Sequence, residues 1–391
     1  MKWYKFDKPS GRLIGQTGEF IVHSDAILEV EDSALSGSSE YHAVPGEFKF
    51  TYGPSTGGLM ESVGFDLYTP GELIKHVDVE PDFKKRVLKV KGKNIQDALL
   101  VVERINGFHS ASNSIAFTSA VEDALDIPVS DSTRDTRIVM IELERIRSHL
   151  EVLKRVCEPA GFGVPSNQIG YLREEVSRVI SKASGHRYFF GSNGVGRAHI
   201  NPDGVIPALD GIVNEFESIF KGLLQSKIFL NRLQNNGKTR TTSLLGPAAR
   251  ASGLSVDARL DSRTISYEDT AYTPVLQEET DSFARFMVRS REIFQSAEII
   301  RSLKNTGDSG PAGVHVSGSG EGAARIESPQ GDLFYYVRIG DGVLEDLRMV
   351  SPSYLNILAF KDSMAGNIFT DFHFNWESFG IWISETGVDI R

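Results

Sequence analysis

The chain has 391 residues, a formal net charge of −10 from 42 Lys and Arg against 52 Asp and Glu, and one cysteine. That length buries a substantial core, and 40% hydrophobic with 24% charged residues excludes a disordered or fibrous polypeptide. The single thiol, Cys157, excludes an internal disulfide and a multi-thiolate metal site built from this chain alone, and the acidic balance argues against broad nucleic-acid binding.

The start, MKWYKFDKPSGR, is polar, so no secretory leader is expected, and no run approaches the ~18 apolar residues that span a bilayer. A reducing, cytosolic compartment is the expectation. GEFIVHSDAILEVE (18–31) alternates apolar and polar residues before the turn-rich SALSGSSE, and GEFKFTYG (46–53) runs into Pro54; both read as strands. FKKRVLKVKGK (83–93) carries six basic residues, read as a solvated face or as a dock for an acidic partner or lipid headgroups.

Helical periodicity then takes over. Ile95, Leu99 and Val102 form one apolar stripe; Val139, Leu143, Ile146, Leu150 and Leu153 a second; Leu209, Ile212, Phe216, Ile219 and Leu223 a third. A fourth helix is expected from about Thr280 to Leu303, with Asp281, Arg285 and Arg289 along one flank. Glycine and asparagine mark loops at 191–204, 234–242 and 305–322. ARIESP, GDLFYYVRIGDG and LEDLRMVSP read as short strands joined by turns, ahead of an apolar tail from Tyr354 to Arg391. The fold class is α+β: a central bundle of long helices, a β-rich N-terminal segment and a small C-terminal sheet.

Polar residues interrupt this pattern at two places. The stripe Ile95, Leu99, Val102 predicts core positions at 106 and 109, where the chain has Asn106 and His109. Either the helix ends near Gly107 and both face a loop or water, or they are buried and hydrogen-bonded at a cavity. On the second helix Glu142, Arg145 and His149 follow one flank, as a hydrogen-bonded network between helices or as a group that holds a proton. Cys157 continues the apolar stripe as a small buried side chain. No dinucleotide fingerprint, Walker A, HExxH or GxSxG spacing occurs.

Seven segments, in order, resemble the large subunit of nickel-iron hydrogenases and its relative in respiratory complex I that forms much of the quinone pocket. They are GPSTGGLMES (53–62), VERINGFHSASNSIAF (102–117), ELERIRSHLEVL (142–153), LGPAARASGLSVDARLD (245–261), FARFMVRSREIFQSAEIIR (283–301), RIESPQGDLFYYV (325–337) and SPSYLNILAF with the tail to Arg391. The resemblance covers 53–391 as one domain and leaves 1–52 as a β-rich extension. Hydrogenases hold nickel and iron with two C-x-x-C pairs, since soft sulfur suits that chemistry. Here Asn106 and His109 stand at the first pair, Trp382 and Glu385 at the second, and Gln330 replaces an arginine that projects over the metals. Hydrogen activation is therefore not expected.

The quinone ligands of the complex I relatives also differ, with Thr56 at the hairpin histidine and Gly107 at the tyrosine. What the resemblance implies is a subunit of a membrane-associated, complex I-like electron-transfer complex related to energy-converting hydrogenases and coupled to ion translocation. Such a chain is peripheral, on the cytoplasmic face, without a transmembrane segment. It binds no cofactor itself; the expected partners are a small iron-sulfur subunit carrying a cluster, antiporter-like membrane subunits and other peripheral-arm subunits, with quinone as a possible acceptor and no nucleic acid. The expected cavity is lined by Thr56, Asn106, Gln330, Trp382 and His149, with His109 and Glu385 as the titrating pair. The alternative is a scaffold that carries conformational change and has no chemistry of its own.

Overall fold

The structure, a computed structural model, describes residues 2–3, 13–17, 20–23, 27–29, 41–55, 59–159, 161–261, 264–309 and 316–391. Thr56 and the turn SALSGSSE lie outside the described residues.

Four strands, β1 (Lys2–Trp3), β2 (Leu13–Thr17), β3 (Phe20–His23) and β4 (Ile27–Glu29), form an antiparallel sheet of order β1-β4-β3-β2. A second antiparallel sheet joins β5 (Phe48–Tyr52), β6 (Gly64–Thr69) and β7 (His76–Glu80). The expected division between 52 and 53 falls inside the β5–β6 hairpin. β8 (Arg86–Leu88), in the basic segment, continues the chain toward the helices.

The helices are α1 (Ile95–Val102), α2 (Ser110–Ala124), α3 (Asp131–Cys157), α4 (Gly163–Ser184), α5 (Val205–Gln225), α6 (Lys227–Leu233), α7 (Gly246–Arg250), α8 (Ala258–Asp261) and α9 (Ser282–Ser302). α3 is the axle, packed against α4 and α9. Ser130 caps it by accepting from the Thr133 amide at 3.2 Å. Its apolar stripe reaches the core as expected, and Cys157 is buried there; burial pushes that thiol up to about 12, out of reach of thiolate chemistry at neutral pH. The polar flanks of α3 are buried too, from Arg137 through Glu142, Glu144, Arg145, Arg147, Ser148 and His149. Buried charges need partners, and this one helix therefore supplies most of the internal polar network.

One helix departs from the expectations. α1 stops at Val102, and a 3-10 turn over Gly107–His109 intervenes before α2, so Asn106 and His109 do not continue the α1 stripe. Asn106 caps that turn by accepting from the Phe108 amide at 2.9 Å. The flank Asp281, Arg285, Arg289 on α9 is buried, with Asp281 capping the helix through the Ala284 amide at 2.8 Å.

Inside the two expected loops, β10 (Arg197–His199) pairs on one side with β9 (Asn193–Gly194) and on the other with β11 (Asp308–Ser309). The expected C-terminal sheet is the antiparallel meander β12 (Gly320–Ser328), β13 (Gly331–Gly340) and β14 (Val343–Val350), whose first hairpin puts Gln330 at its tip. α2 packs on β12 and β13. The tail folds as α10 (Ser353–Met364), α11 (Phe372–Phe379), α12 (Ile383–Thr386) and β15 (Val388–Ile390). β15 runs parallel to β8, pairing Val388 with Arg86 and Ile390 with Leu88. The end of the chain thus returns to the basic segment.

Candidate functional site

Three segments distant in sequence meet beneath the β12–β13 hairpin: the turn before α2, the middle of α3 and the turn around α12. α3 fixes the first. Arg147 donates to the Gly107 and Phe108 carbonyls at 3.1 and 2.9 Å, and Glu144 accepts from the first amides of α2 at Ala111 (2.7 Å) and Ser112 (3.0 Å). The helix N-terminus thereby gains a carboxylate and the His109 backbone a fixed position. Glu61 fixes the third segment by accepting from the Ser384 amide at 2.9 Å and from that of Ile383.

Between these segments His109 Nδ1 hydrogen-bonds Glu385 Oε1. Asn106 Nδ2 donates to the same oxygen at 3.0 Å, and Ser351 Oγ donates to Oε2 at 2.7 Å. His109 is fully buried and Asn106 and Glu385 nearly so. The hydrogen-bonded alternative for Asn106 and His109 is the one observed. Burial pulls the Glu385 carboxyl up, but the pull of His109 and the three hydrogen bonds outweigh it and hold Glu385 below the usual carboxylate range. Trp382 roofs the pair: its ring stacks on Phe108 at 4.8 Å, meets His109 edge-on at 5.4 Å and carries the Arg155 guanidinium at 5.1 Å.

On its other side His109 Nε2 lies 3.1 Å from Ser148 Oγ, which accepts from Gln330 Nε2 at 3.2 Å. Gln330 Oε1 accepts in turn from Arg289 Nη2 at 2.8 Å. Gly380, at φ 64°, makes that contact possible, because a Cβ there would collide with both Arg289 and Gln330. His149 is placed differently from the expectation that it lines the same space. It stands behind Arg289, whose Nη1 it accepts at Nδ1 (3.3 Å), and donates from Nε2 to Glu292 at 2.7 Å. Burial, helped by Arg289 and Arg145, pushes its pKa down to about 3, so it is a neutral hydrogen-bond bridge at physiological pH. The flank of α3 is thereby split: Glu142 and Arg145 pair with each other at 3.0 Å, and His149 looks to α9.

The substituted positions do not fit a nickel-iron centre. An amide, an imidazole, an indole and a carboxylate give no soft ligand set, and three of them already satisfy one another. Among the described residues no three His, Cys, Asp or Glu side chains gather as a metal-ligand group. One buried donor, Trp382 Nε1, has no hydrogen-bond acceptor among the described residues.

Residues 169–317, from α4 to the segment before β12, match the family described as the 49 Kd subunit of respiratory-chain NADH dehydrogenase. The membrane-bound hydrogenase subunit alpha of Pyrococcus furiosus is 26% identical over 358 residues, covering 83% of each chain. An NADH-quinone oxidoreductase subunit of Dehalococcoides mccartyi is 28% identical over 351 residues, covering 80% of this chain and 90% of the relative. The chain is thus similar to the 49 Kd subunit of respiratory-chain NADH dehydrogenase and to the membrane-bound hydrogenase subunit alpha. In fold it matches a chain from the structure of a membrane-bound sulfane sulfur reductase, an archaeal respiratory membrane complex, with a TM-score of 0.79 at 18% identity, over 88% of this chain and 99% of that one. The motif order read from the sequence and the α+β architecture both agree with these similarities. No helix among the described residues is long and apolar enough to cross a membrane.

Sequence reasoning found Asn106, His109, Gln330, Trp382 and Glu385, which the structure brings to one place. It missed Ser148, Ser351, Arg289, Glu61 and Arg86. Arg86 is the least expected, because it reads as one more lysine-like charge in the basic segment. Its Nη2 instead donates inward to the carbonyls of Ile105 and Ser384, one residue before Asn106 and one before Glu385. Arg86→Met is expected to leave both carbonyls unpaired, cost about 1.5–3 kcal/mol and raise amide exchange at 105–110 and 383–388 on the order of tenfold. Hydrogen exchange read by mass spectrometry checks this; unchanged protection in both segments would refute the clamp.

Proposed function

We propose that this chain is the non-hydrogenase large subunit of a membrane-associated, complex I-like electron-transfer complex that couples redox chemistry to ion translocation. The observation that carries the reading is the buried His109–Glu385 pair, which stands where the hydrogenase relatives are expected to hold metal thiolates. A titratable pair can answer a change of charge beside it: the shared proton moves between His109 Nδ1 and Glu385 Oε1, and the bonds from Asn106 and Ser351 strengthen or weaken accordingly. The Pyrococcus hydrogenase subunit and the archaeal sulfane sulfur reductase, both named as membrane-bound, support the membrane setting.

In this reading a small iron-sulfur subunit carries the cluster that delivers electrons, antiporter-like chains supply the membrane part, and other peripheral-arm subunits complete an assembly on the cytoplasmic face. A quinone would be the acceptor, with Trp382 Nε1 as the buried donor for its carbonyl, since His109 Nδ1 and Asn106 Nδ2 already serve Glu385. A second reading, a scaffold without chemistry of its own, is favoured by the same mutual satisfaction of Asn106, His109 and Glu385.

Gentle purification from membranes, with every copurifying chain and metal identified, is expected to yield an iron-sulfur partner and membrane subunits; stoichiometric nickel in this chain would overturn the non-hydrogenase reading. In that assembly His109→Leu is expected to lower acceptor reduction by about 10²-fold per assembled complex. Unchanged turnover would favour the scaffold.

A further inference from the structure

Behind the site, α3, α7, α8, α9 and β12 enclose a cluster of charges without access to solvent. Arg250 Nη1 donates to Asp257 at 2.7 Å and to Glu327 at 2.8 Å, and its Nε faces Glu292 at 2.6 Å. Arg259 Nη2 donates to Asp257 at 2.8 Å, and Arg145 Nε to Glu142 at 3.0 Å. Three guanidinium groups thus face four carboxylates. The nearby fourth cation, Arg289, contacts no carboxylate: its donors go to Gln330, His149 and the carbonyls of Ser378 and Phe379. The four carboxylates therefore outnumber the guanidinium groups that bond them, with Arg289 acting on Glu292 only through space, and keeping all four ionised is costly away from water.

Glu327 is the group placed to relieve that excess. Its two oxygens meet Arg250 Nη1 and the Ala258 amide (3.0 Å), and it shares Arg250 with Asp257, a like charge. Beside it lies a cavity of about 10 Å³ lined by Glu327, Arg259, Tyr267 and four apolar or small side chains, room for a single water. Arg259, which lines that space, has a buried Nη1 without a hydrogen-bond acceptor, 3.8 Å from Glu142 Oε1.

We propose that Glu327 and the adjoining cavity form a buried proton-binding site, in which the protonated carboxyl donates to one ordered water held by Arg259 Nη1. The proton comes from solvent, and the Glu327 carboxylate becomes a neutral acid. The charged and titratable groups that face it are Arg145 and Glu142 from α3, Arg250 from α7, Asp257 and Arg259 at α8, Glu292 from α9, and Tyr267 across the cavity. Burial and the Asp257 charge push Glu327 up to about 7 against the pull of the three arginines, whereas Arg259 and Arg250 hold Asp257 below its usual range.

The site is separate from the His109–Glu385 pair. Arg289 donates both toward Gln330 and toward His149, so the hydrogen bonds diverge from it and offer no continuous path for proton hopping between the two carboxyls. A subunit whose surroundings gain and lose electrons thereby has a second group that can change charge near neutral pH.

Infrared difference spectra of the full chain, in the complex with which it purifies, test this. The wild type should lose one protonated-carboxyl C=O band as pH rises through about 7. Glu327→Gln, which copies the shape of the neutral acid, should lack the band, and Glu385→Gln should keep it. Asp257→Asn, which removes the neighbouring like charge, should move the band's midpoint to lower pH, and serves if the first variant fails to fold. Absence of the band in the wild type, its survival in Glu327→Gln, its loss in Glu385→Gln, or a midpoint unmoved in Asp257→Asn would each overturn the proposal.

Discussion

Arg250→Met is expected to be among the most damaging single substitutions in the chain, lowering folding stability by about 3–5 kcal/mol. The wild-type guanidinium touches Asp257, Glu292 and Glu327 with every charge sealed from water. Burial works against its positive charge, yet the three carboxylates more than compensate and raise its pKa above the ordinary value. Methionine fills comparable volume and removes the cation. Arg259 still holds Asp257 and reaches Glu292 at 3.4 Å, but Glu327 keeps only the Ala258 amide. A single domain is stable by about 5–15 kcal/mol, so a loss of this size moves the urea midpoint far down or unfolds the chain. Arg250→Lys should fall between, because an ammonium cannot present a planar fork to three carboxylates. Urea unfolding followed by circular dichroism measures both; a midpoint for Arg250→Met within error of the wild type would mean that the cluster adds nothing to stability.

How far such a cluster is visible before folding depends on the face that carries it. The stripes of α1, α3, α5 and α9 alternate with polar residues at helical spacing, and all four helices were legible. α2 was not: SASNSIAFTSAVEDA is buried on nearly all sides, so small and polar residues fill positions that would otherwise contrast with a core stripe. α4 carries a plain stripe in Ile169, Leu172, Val176 and Ile180, and its GVPSNQ start hides the onset of a readable helix. Asp281, Arg285 and Arg289 were legible as one flank but not as a buried one, because spacing reports which residues share a face, not whether another element covers it. Asn106 and His109 stood out as polar residues at core positions. Their partner Glu385 lies 276 residues beyond His109, and only the family-like motif order linked the two. Arg86, Ser148 and Ser351 act through contacts that no periodicity encodes. Gly246 was legible only as part of a Gly-Pro motif; the structure gives the reason, a positive φ of 61° and a backbone so close to Gln330 that a Cβ would collide with its carbonyl.

His109→Leu should have a comparable cost, again about 3–5 kcal/mol, because it takes the cationic partner from the buried Glu385 carboxylate. Replacing both partners, His109→Leu with Glu385→Met, is expected to recover part of that loss. Recovery stops short of the wild type since Asn106 Nδ2 and Ser351 Oγ would then lack the oxygens they serve. His109→Leu, Glu385→Met alone and the double variant form a double-mutant cycle with the wild type, and a coupling energy near zero would show the pair to be structurally idle. The pH dependence gives a second reading of the same interaction. Glu385 is held below the usual carboxylate range, so its contribution is complete above the unfolded value of ~4.3 and disappears as pH falls through the lower folded value. His109 is the largest of the influences that lower it. Without the imidazole, burial dominates and the Glu385 pKa rises, which reverses the sign. In His109→Leu the carboxyl should therefore destabilise the fold increasingly as pH climbs above ~4.3, and acidification toward that value should partly rescue the variant while it weakens the wild type. Unfolding midpoints measured for both proteins from neutral to acid pH would reveal opposite trends, and parallel trends would show that His109 does not set the ionisation of Glu385.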